Sequence, residues 1–245
     1  MAKFVWQNVR LFTATADLTG VNNKLEVTAE REAKEATPFA TSGAVWAEVL
    51  AGLAKTEISA EGQWEAGDTG KIDDAAFANL GSVVPVTIGP VGAADGDLAY
   101  LTGALRTKFD VGGSVGEVAP WTGEMVGNWP LVRGKMAHPP GTARTSTGTG
   151  TAYQLGAASS SQYLYAALHV LSLSGTSPSI TVKVQSDNAS NFPSATDQIT
   201  FTAATARSGQ LSRVAGPITD DWFRVSYTIS GTGPSILFAV AFGIA

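Results

Sequence analysis

The chain contains no cysteine, which excludes disulfide bridges and thiolate-held zinc. It is short of charge: Asp, Glu, Lys and Arg make up 15% of its 245 residues, against roughly a quarter in ordinary globular chains. There is no basic excess either. The net charge is −5, whereas a nucleic-acid reader carries a basic stripe. No segment approaches the roughly 18 uninterrupted apolar residues of a membrane span. Lys3, Gln7, Asn8 and Arg10 break up the opening segment, so no signal-peptide core is read there. The expectation is a chain that folds in a cytoplasm and has no membrane partner.

Catalytic signatures are equally scarce. No Gly-x-Ser-x-Gly elbow, phosphate-binding loop with Lys-Ser/Thr, or His-Glu-x-x-His is present. The only two histidines, His138 and His169, have no ligand-type neighbour at metal spacing. Gly112-Gly113-Ser114-Val115-Gly116 reads as a turn, because no helix start suited to phosphate follows it. Asp73-Asp74 and Asp220-Asp221 are adjacent pairs, a spacing that rarely converges on one substrate. Asp187, Asn188 and Asp197 offer oxygen ligands but match no fixed calcium motif. No enzyme, cofactor or metal site is therefore expected.

What fills the space is Gly, Ser, Thr and Ala. Short polar side chains lose little entropy when covered, which suits either a surface that becomes an interface or a β-sandwich with many turns. Charge is uneven along the chain. Residues 151–245 hold four bases (Lys183, Arg207, Arg213, Arg224) and four acids (Asp187, Asp197, Asp220, Asp221). From totals of 16 bases and 21 acids, that leaves 12 and 17 in residues 1–150. Between the two parts lie Pro139-Pro140-Gly141 and Thr145-Ser146-Thr147-Gly148-Thr149-Gly150, a tract unable to bury a core and read as a linker over 141–152. Two domains follow, 1–140 and 153–245.

The C-terminal part reads as β throughout. Tyr163–Leu173 and Ile236–Phe242 are apolar on both faces. Ile180, Val182 and Val184 alternate with Thr181, Lys183 and Gln185, and Phe223, Val225, Tyr227 and Ile229 alternate with Arg224, Ser226 and Thr228. Ile199 and Phe201 share a side. Turn-forming runs separate these segments, which predicts a β-sandwich of about six to eight strands. Trp121, Trp129, Trp222, Tyr163 and Tyr165 are either core aromatics or a sugar-binding platform.

The N-terminal part is mixed. Ile58, Ala60, Gly62 and Trp64 oppose Glu57, Ser59, Glu61 and Gln63, a strand with one acidic-polar face. Val83–Gly89 and Val115–Val126 read as further strands. Asp73–Gly81 has acids in its first turn and a closing glycine, predicting a short helix. Trp46, Val49, Leu50 and Leu53 share a helical side, predicting a second short helix over Ala44–Ala54. Glu30–Ser42 is densely charged and carries Pro38, so it reads as a long exposed loop.

Taken in order, several of these pieces resemble the tail tube proteins of long, flexible-tailed bacteriophages. They are Asp17-Leu18-Thr19-Gly20, Thr37-Pro38-Phe39, Trp46–Leu53, Ile58–Trp64, Phe77, Pro85-Val86-Thr87, Gly96–Tyr100, Gly112–Gly116 and Leu131–Gly134. Residues 150–245 are similar to C-terminal halves of tail proteins from phages of actinobacterial hosts. The resemblance implies a mainly β fold, a tail-tube sandwich or barrel with a flanking helix and a long loop, followed by a C-terminal sandwich. It implies a structural virion protein in the tail, assembled in the host cytoplasm. Self-association into stacked rings, usually hexameric, would build a hollow tube that passes DNA without holding it. Tape measure, tail terminator and baseplate proteins would be the other partners. The family's inter-ring loop maps to Glu30, Arg31, Glu32, Lys34, Glu35, Thr37, Pro38 and Phe39.

Basic residues in such a bore would hold phosphates and acids would not. Glu57, Glu61, Glu117 and Glu124 are accordingly expected to face the channel, or else to solubilise an outer face. The C-terminal sandwich would decorate the exterior or form a second tube-like repeat. The competing reading is a carbohydrate-binding β-sandwich of a virion or secreted protein.

Overall fold

The computed structural model describes residues 6–37, 47–67 and 70–245. The strands are β1 (Arg10–Thr13), β2 (Ala16–Asp17), β3 (Asn22–Glu35), β4 (Val49–Gln63), β5 (Val83–Gly89), β6 (Leu98–Val111) and β7 (Pro120–Gly127). They continue as β8 (Val132–His138), β9 (Gly148–Thr149), β10 (Tyr153–Gln154), β11 (Tyr163–Asp187), β12 (Thr196–Thr200), β13 (Ser208–Ala215) and β14 (Trp222–Ile244). Asp73–Phe77 forms one π-helical turn. The fold is mainly β, and its strand pairs are antiparallel.

Two large apolar cores lie along this network, with two smaller clusters that mix residues of both halves. One gathers Leu11, Leu18, Ile58, Ile72, Val86, Ile88, Trp121 and Met125 from the first part of the chain. The other gathers Leu164, Leu168, Val182, Val184, Phe201, Phe223, Phe238 and Phe242 from the last part. Strand β8 connects them. It pairs with β6 on one side and with β14 on the other, so one hydrogen-bonded ladder runs through both regions. The close approach requires glycine. A Cβ at Gly134 would stand 2.0 Å from the carbonyl oxygen of Phe242.

Parts of the segment 141–152, read from the sequence as a linker, lie along β14. Arg144 exchanges backbone hydrogen bonds with Ile236, at 2.7 and 2.9 Å, and Thr149 pairs with Ser226. Tyr153 closes against Gly96, and Thr151 donates to Asp95.

The C-terminal alternation holds as expected: Ile180, Val182, Val184, Ile199, Phe201, Phe223, Val225 and Tyr227 are buried. The turns differ. Ser174–Ser179 and Ser230–Ser235 lie inside the long strands β11 and β14, as bends with register shifts. Their near-identical sequences, Ser-Gly-Thr-Ser-Pro-Ser and Ser-Gly-Thr-Gly-Pro-Ser, face one another, with Thr176 opposite Thr232. Gly175 and Gly231 both adopt positive φ there, 121° and 112°, which lets two paired strands turn a corner together.

Three N-terminal expectations are corrected. Glu30–Glu35 is strand, not loop, because it continues the ladder of β3 with β4: Glu30 pairs with Lys55 and Glu35 with Val49. Its charges are tolerated because that stretch is exposed on both faces. Val49–Ala54 is strand, not helix, since the same ladder overrides the local periodicity. Trp46, Pro38 and Phe39 lie outside the described residues. The strand expected over Val115–Val126 begins only at Pro120.

Candidate functional site

Strands β3, β4, β7 and β6 lie side by side, and their outward residues form rows across the sheet. One row is Glu26, Ser59, Glu124 and Lys108. The next is Lys24, Glu61, Thr122 and Asp110. Thr28, Glu57 and Val126 form a third. The inward residues of the same strands, Ile58, Ala60, Trp121 and Met125, are buried. Period-two alternation thus places the acids on one face because the apolar set is locked against the core.

Three lysines lie among these acids. Lys24 Nζ is 2.7 Å from Glu61, Lys55 Nζ is 2.5 Å from Glu57, and Lys108 Nζ is 3.2 Å from Glu124 and 3.9 Å from Asp110. The hydrogen bonds to Glu61 and Glu57 raise the pKa values of Lys24 and Lys55. Glu26 and Glu30 complete the set, so six acids share the face with three lysines and it stays net negative. A shallow groove of about 250 Å³ runs between Glu26, Thr28, Glu57, Ser59 and Glu124.

Of the four acids expected to act together, Glu57, Glu61 and Glu124 are brought together. Glu117 is not. It sits in the exposed loop between β6 and β7, where its N–H bonds to Ser114 O at 3.2 Å. Glu26, Glu30 and Asp110 join the face without having been anticipated. Once β3 is recognised as a strand, its alternation identifies Glu26 and Glu30.

Beyond Glu30 and Lys55 the β3–β4 pair leaves the body as a two-stranded ribbon. Arg31 faces Ala54, Ala33 faces Ala51 and Lys34 faces Leu50. Ala36 N–H still bonds to Glu48 O at 2.8 Å, and Thr37 Oγ1 accepts from Glu48 N–H. At about 3.3 Å per residue, six residue pairs reach roughly 20 Å. Leu53 is 82% exposed, Val49 58% and Leu50 57%. An uncovered two-stranded ribbon is marginally stable in water, and this one carries apolar side chains left exposed among the described residues. Glu30, Arg31, Glu32, Lys34, Glu35 and Thr37 lie along it.

Several acids that the sequence singles out elsewhere are used within the fold. Asp187 accepts from the N–H groups of Ala189 and Ser194, at 3.0 and 2.7 Å. Asp197 pairs with Lys183 and Gln185, and the Lys183 bond lowers its pKa. Asp220 accepts from Ser186 and Asp74 from Gly70 N–H. Among the described residues no group of three or more His, Asp or Glu could hold a metal ion. Trp129, Tyr163 and Tyr165 meet at angles of 50–68° around the guanidinium of Arg213. They form a tilted cluster, not a coplanar row.

No family model matches the chain, and no curated protein resembles it. Loose likenesses to solved structures exist. A chain from the virion of a native gene transfer agent particle is 18% identical, with a TM-score of 0.41, covering 53% of this chain and 97% of its own. A chain from the sheath–tube complex of an extracellular contractile injection system is 10% identical, with a TM-score of 0.42, covering 54% and 92%. The Dit hub protein of phage SPP1 is 10% identical, with a TM-score of 0.35, covering 98% and 100%. These scores are too low to show a shared fold.

Proposed function

We propose that this chain is a structural protein of a long-tailed bacteriophage virion, which self-associates as stacked rings into the hollow tail tube that conducts DNA to the host. The observation that carries the reading is the β3–β4 ribbon. It projects about 20 Å with Val49, Leu50 and Leu53 exposed, and a second copy of the chain is the cover that supplies matching surface. A head-to-tail contact that closes by rotation gives a ring, and axial contacts that do not close let rings stack. The low charge and the richness in short polar side chains fit a surface destined for burial.

The acidic face supports the same reading. Strands whose outward face is net negative repel phosphate and leave DNA free to move. In the proposed tube Glu26, Glu57, Glu61 and Glu124 line the bore, the ribbon carrying Glu30–Thr37 reaches the neighbouring ring, and residues 153–245 lie outside. Hexameric rings, and ends that meet tape measure, terminator and baseplate proteins, complete the proposal. Sedimentation of the full chain tests it. The proposal expects rings or longer assemblies of defined mass, and their loss when Val49, Leu50 and Leu53 become aspartate. A monomer at every concentration would overturn it.

A further inference from the structure

The four strands β3, β4, β7 and β6 expose apolar side chains at both of their ends. One end is the ribbon. At the other, Gln63 of β4 pairs with Pro120 of β7, and Val111 of β6 pairs with Trp121, so the sheet closes in the turn between β6 and β7. Val111, Val115, Val118 and Trp64 are exposed there, Val115 completely. Trp64 is held by its N–H, which bonds to Ala119 O at 2.8 Å. Period-two alternation explains two of the four. Trp64 shares the inward side of Ile58 and Ala60, and Val111 stands opposite buried Trp121. Both continue the core-facing stripe past the point where the core ends, so they emerge into solvent as a rim.

The two ends complement each other. The turn over residues 112–119 carries a single charge, Glu117, which forms no ion pair among the described residues. On the ribbon, Lys34 is held by Glu32 and Lys55 by Glu57, each at 2.5 Å. Arg31 is exposed and has no such partner among the described residues. Lengths agree as well. The body of β4 over Glu57–Gln63 spans roughly 23 Å and the ribbon roughly 20 Å. A copy displaced along the strand direction therefore brings its rim to the ribbon of the copy before it. Such a head-to-tail contact does not close on itself and repeats along an axis.

We propose that the rim formed by Trp64, Val111, Val115 and Val118 is the seat of the β3–β4 ribbon of the next copy, with that copy's Arg31 against Glu117. The assignment presupposes the stacked rings above and names the surface that the ribbon meets. A second exposed apolar group, Phe77, Leu80 and Val83, lies beside β6, where Val83 pairs with Leu105. It flanks the sheet and does not cap its end, so it is not the seat.

The chain has no cysteine, so introduced pairs read the contact directly. In the full chain, Leu53→Cys with Val115→Cys should give a ladder of covalent multimers on oxidation, because every copy bears both halves. Mixing the two single variants should stop at the dimer, and Leu53→Cys with Val83→Cys should give no ladder. Charge exchange is the second measurement. Arg31→Glu or Glu117→Arg alone should weaken association about tenfold or more, as like charges across a contact do, and the two together should restore it. A ladder from the Val83 pair, no ladder from either pair in protein that still assembles, or a double charge variant no better than the singles overturns the seat and leaves the tube reading standing. A full chain that stays monomeric overturns both.

Discussion

The imidazole of His169 donates its Nδ1–H to the carbonyl oxygen of Ala14, 2.9 Å away. Because that carbonyl can only accept, Nε2 is left unprotonated and accepts from Thr87 Oγ1, also at 2.9 Å. His169 is on β11, whereas Ala14 and Thr87 belong to the N-terminal region, so one buried neutral ring fastens the two cores together. Nearby, Arg207 donates to Thr15 O at 2.8 Å across the same junction.

The junction is therefore acid-sensitive. Burial lowers the pKa of His169 to about 4, and burial plus the adjacent Arg144 lowers that of His138 to about 4. Both rings are neutral in the fold, while the unfolded chain takes up protons near pH 6.5. Their stabilisation is complete above about pH 6.5 and is lost as the pH falls toward 4. The slope is about 1.4 kcal/mol per pH unit per histidine. Urea unfolding midpoints should hold level from pH 7.5 to about 6.5 and then fall toward pH 4.5, and the fall should be shallower in His169→Gln. A flat profile would contradict the assignment.

Gly134 is predicted to be intolerant of substitution. A methyl there collides with the backbone of Phe242 on β14, and separating β8 from β14 breaks the ladder that joins the cores. Gly134→Ala should cost about 3 kcal/mol, the upper end of the range for overpacked interiors, read as a large drop in the thermal midpoint. Gly141→Ala, with no atom within 4 Å of the added carbon, is the control.

Leu53→Asp should separate folding from assembly. Leu53 is exposed on the ribbon, and surface changes of this kind shift stability by about 0.5 kcal/mol or less. The circular dichroism melt of the variant should overlay that of the parent, while light scattering shows that association is lost. Unimpaired association would remove the ribbon from the interface.

If the acidic face lines the bore as proposed, charge reversal there should act on DNA passage alone. Glu26→Lys with Glu124→Lys turns one row of the sheet basic without touching the core, since both side chains point to solvent. Phage carrying the pair should assemble and then eject DNA more slowly, most visibly at low salt, where phosphate contacts are strongest. Ejection at the parental rate would move this face off the bore.

Much of the C-terminal half was legible because its strands obey strict alternation over a buried core: Ile180, Val182 and Val184 on one strand, Phe223, Val225 and Tyr227 on its partner. The ribbon was not. An arm exposed on both faces among the described residues has no body-facing stripe, so Glu30–Glu35 reads as too charged for a strand and Val49–Leu53 reads as helical. The paired bends at Ser174–Ser179 and Ser230–Ser235 looked like ordinary turns, since pairing between two distant segments leaves no local mark. Of the candidate site, Glu57 and Glu61 were visible on one alternating strand. Glu124 joins them only through the β4–β7 register.

The most direct test is electron cryomicroscopy of the purified full chain at high concentration. The account predicts hollow tubes of stacked rings, with the β3–β4 ribbon seated on a neighbouring copy and Glu26, Glu61 and Glu124 on the inner wall. Monodisperse single chains with a free ribbon, or a tube whose inner wall is lined by lysine and arginine, would contradict it.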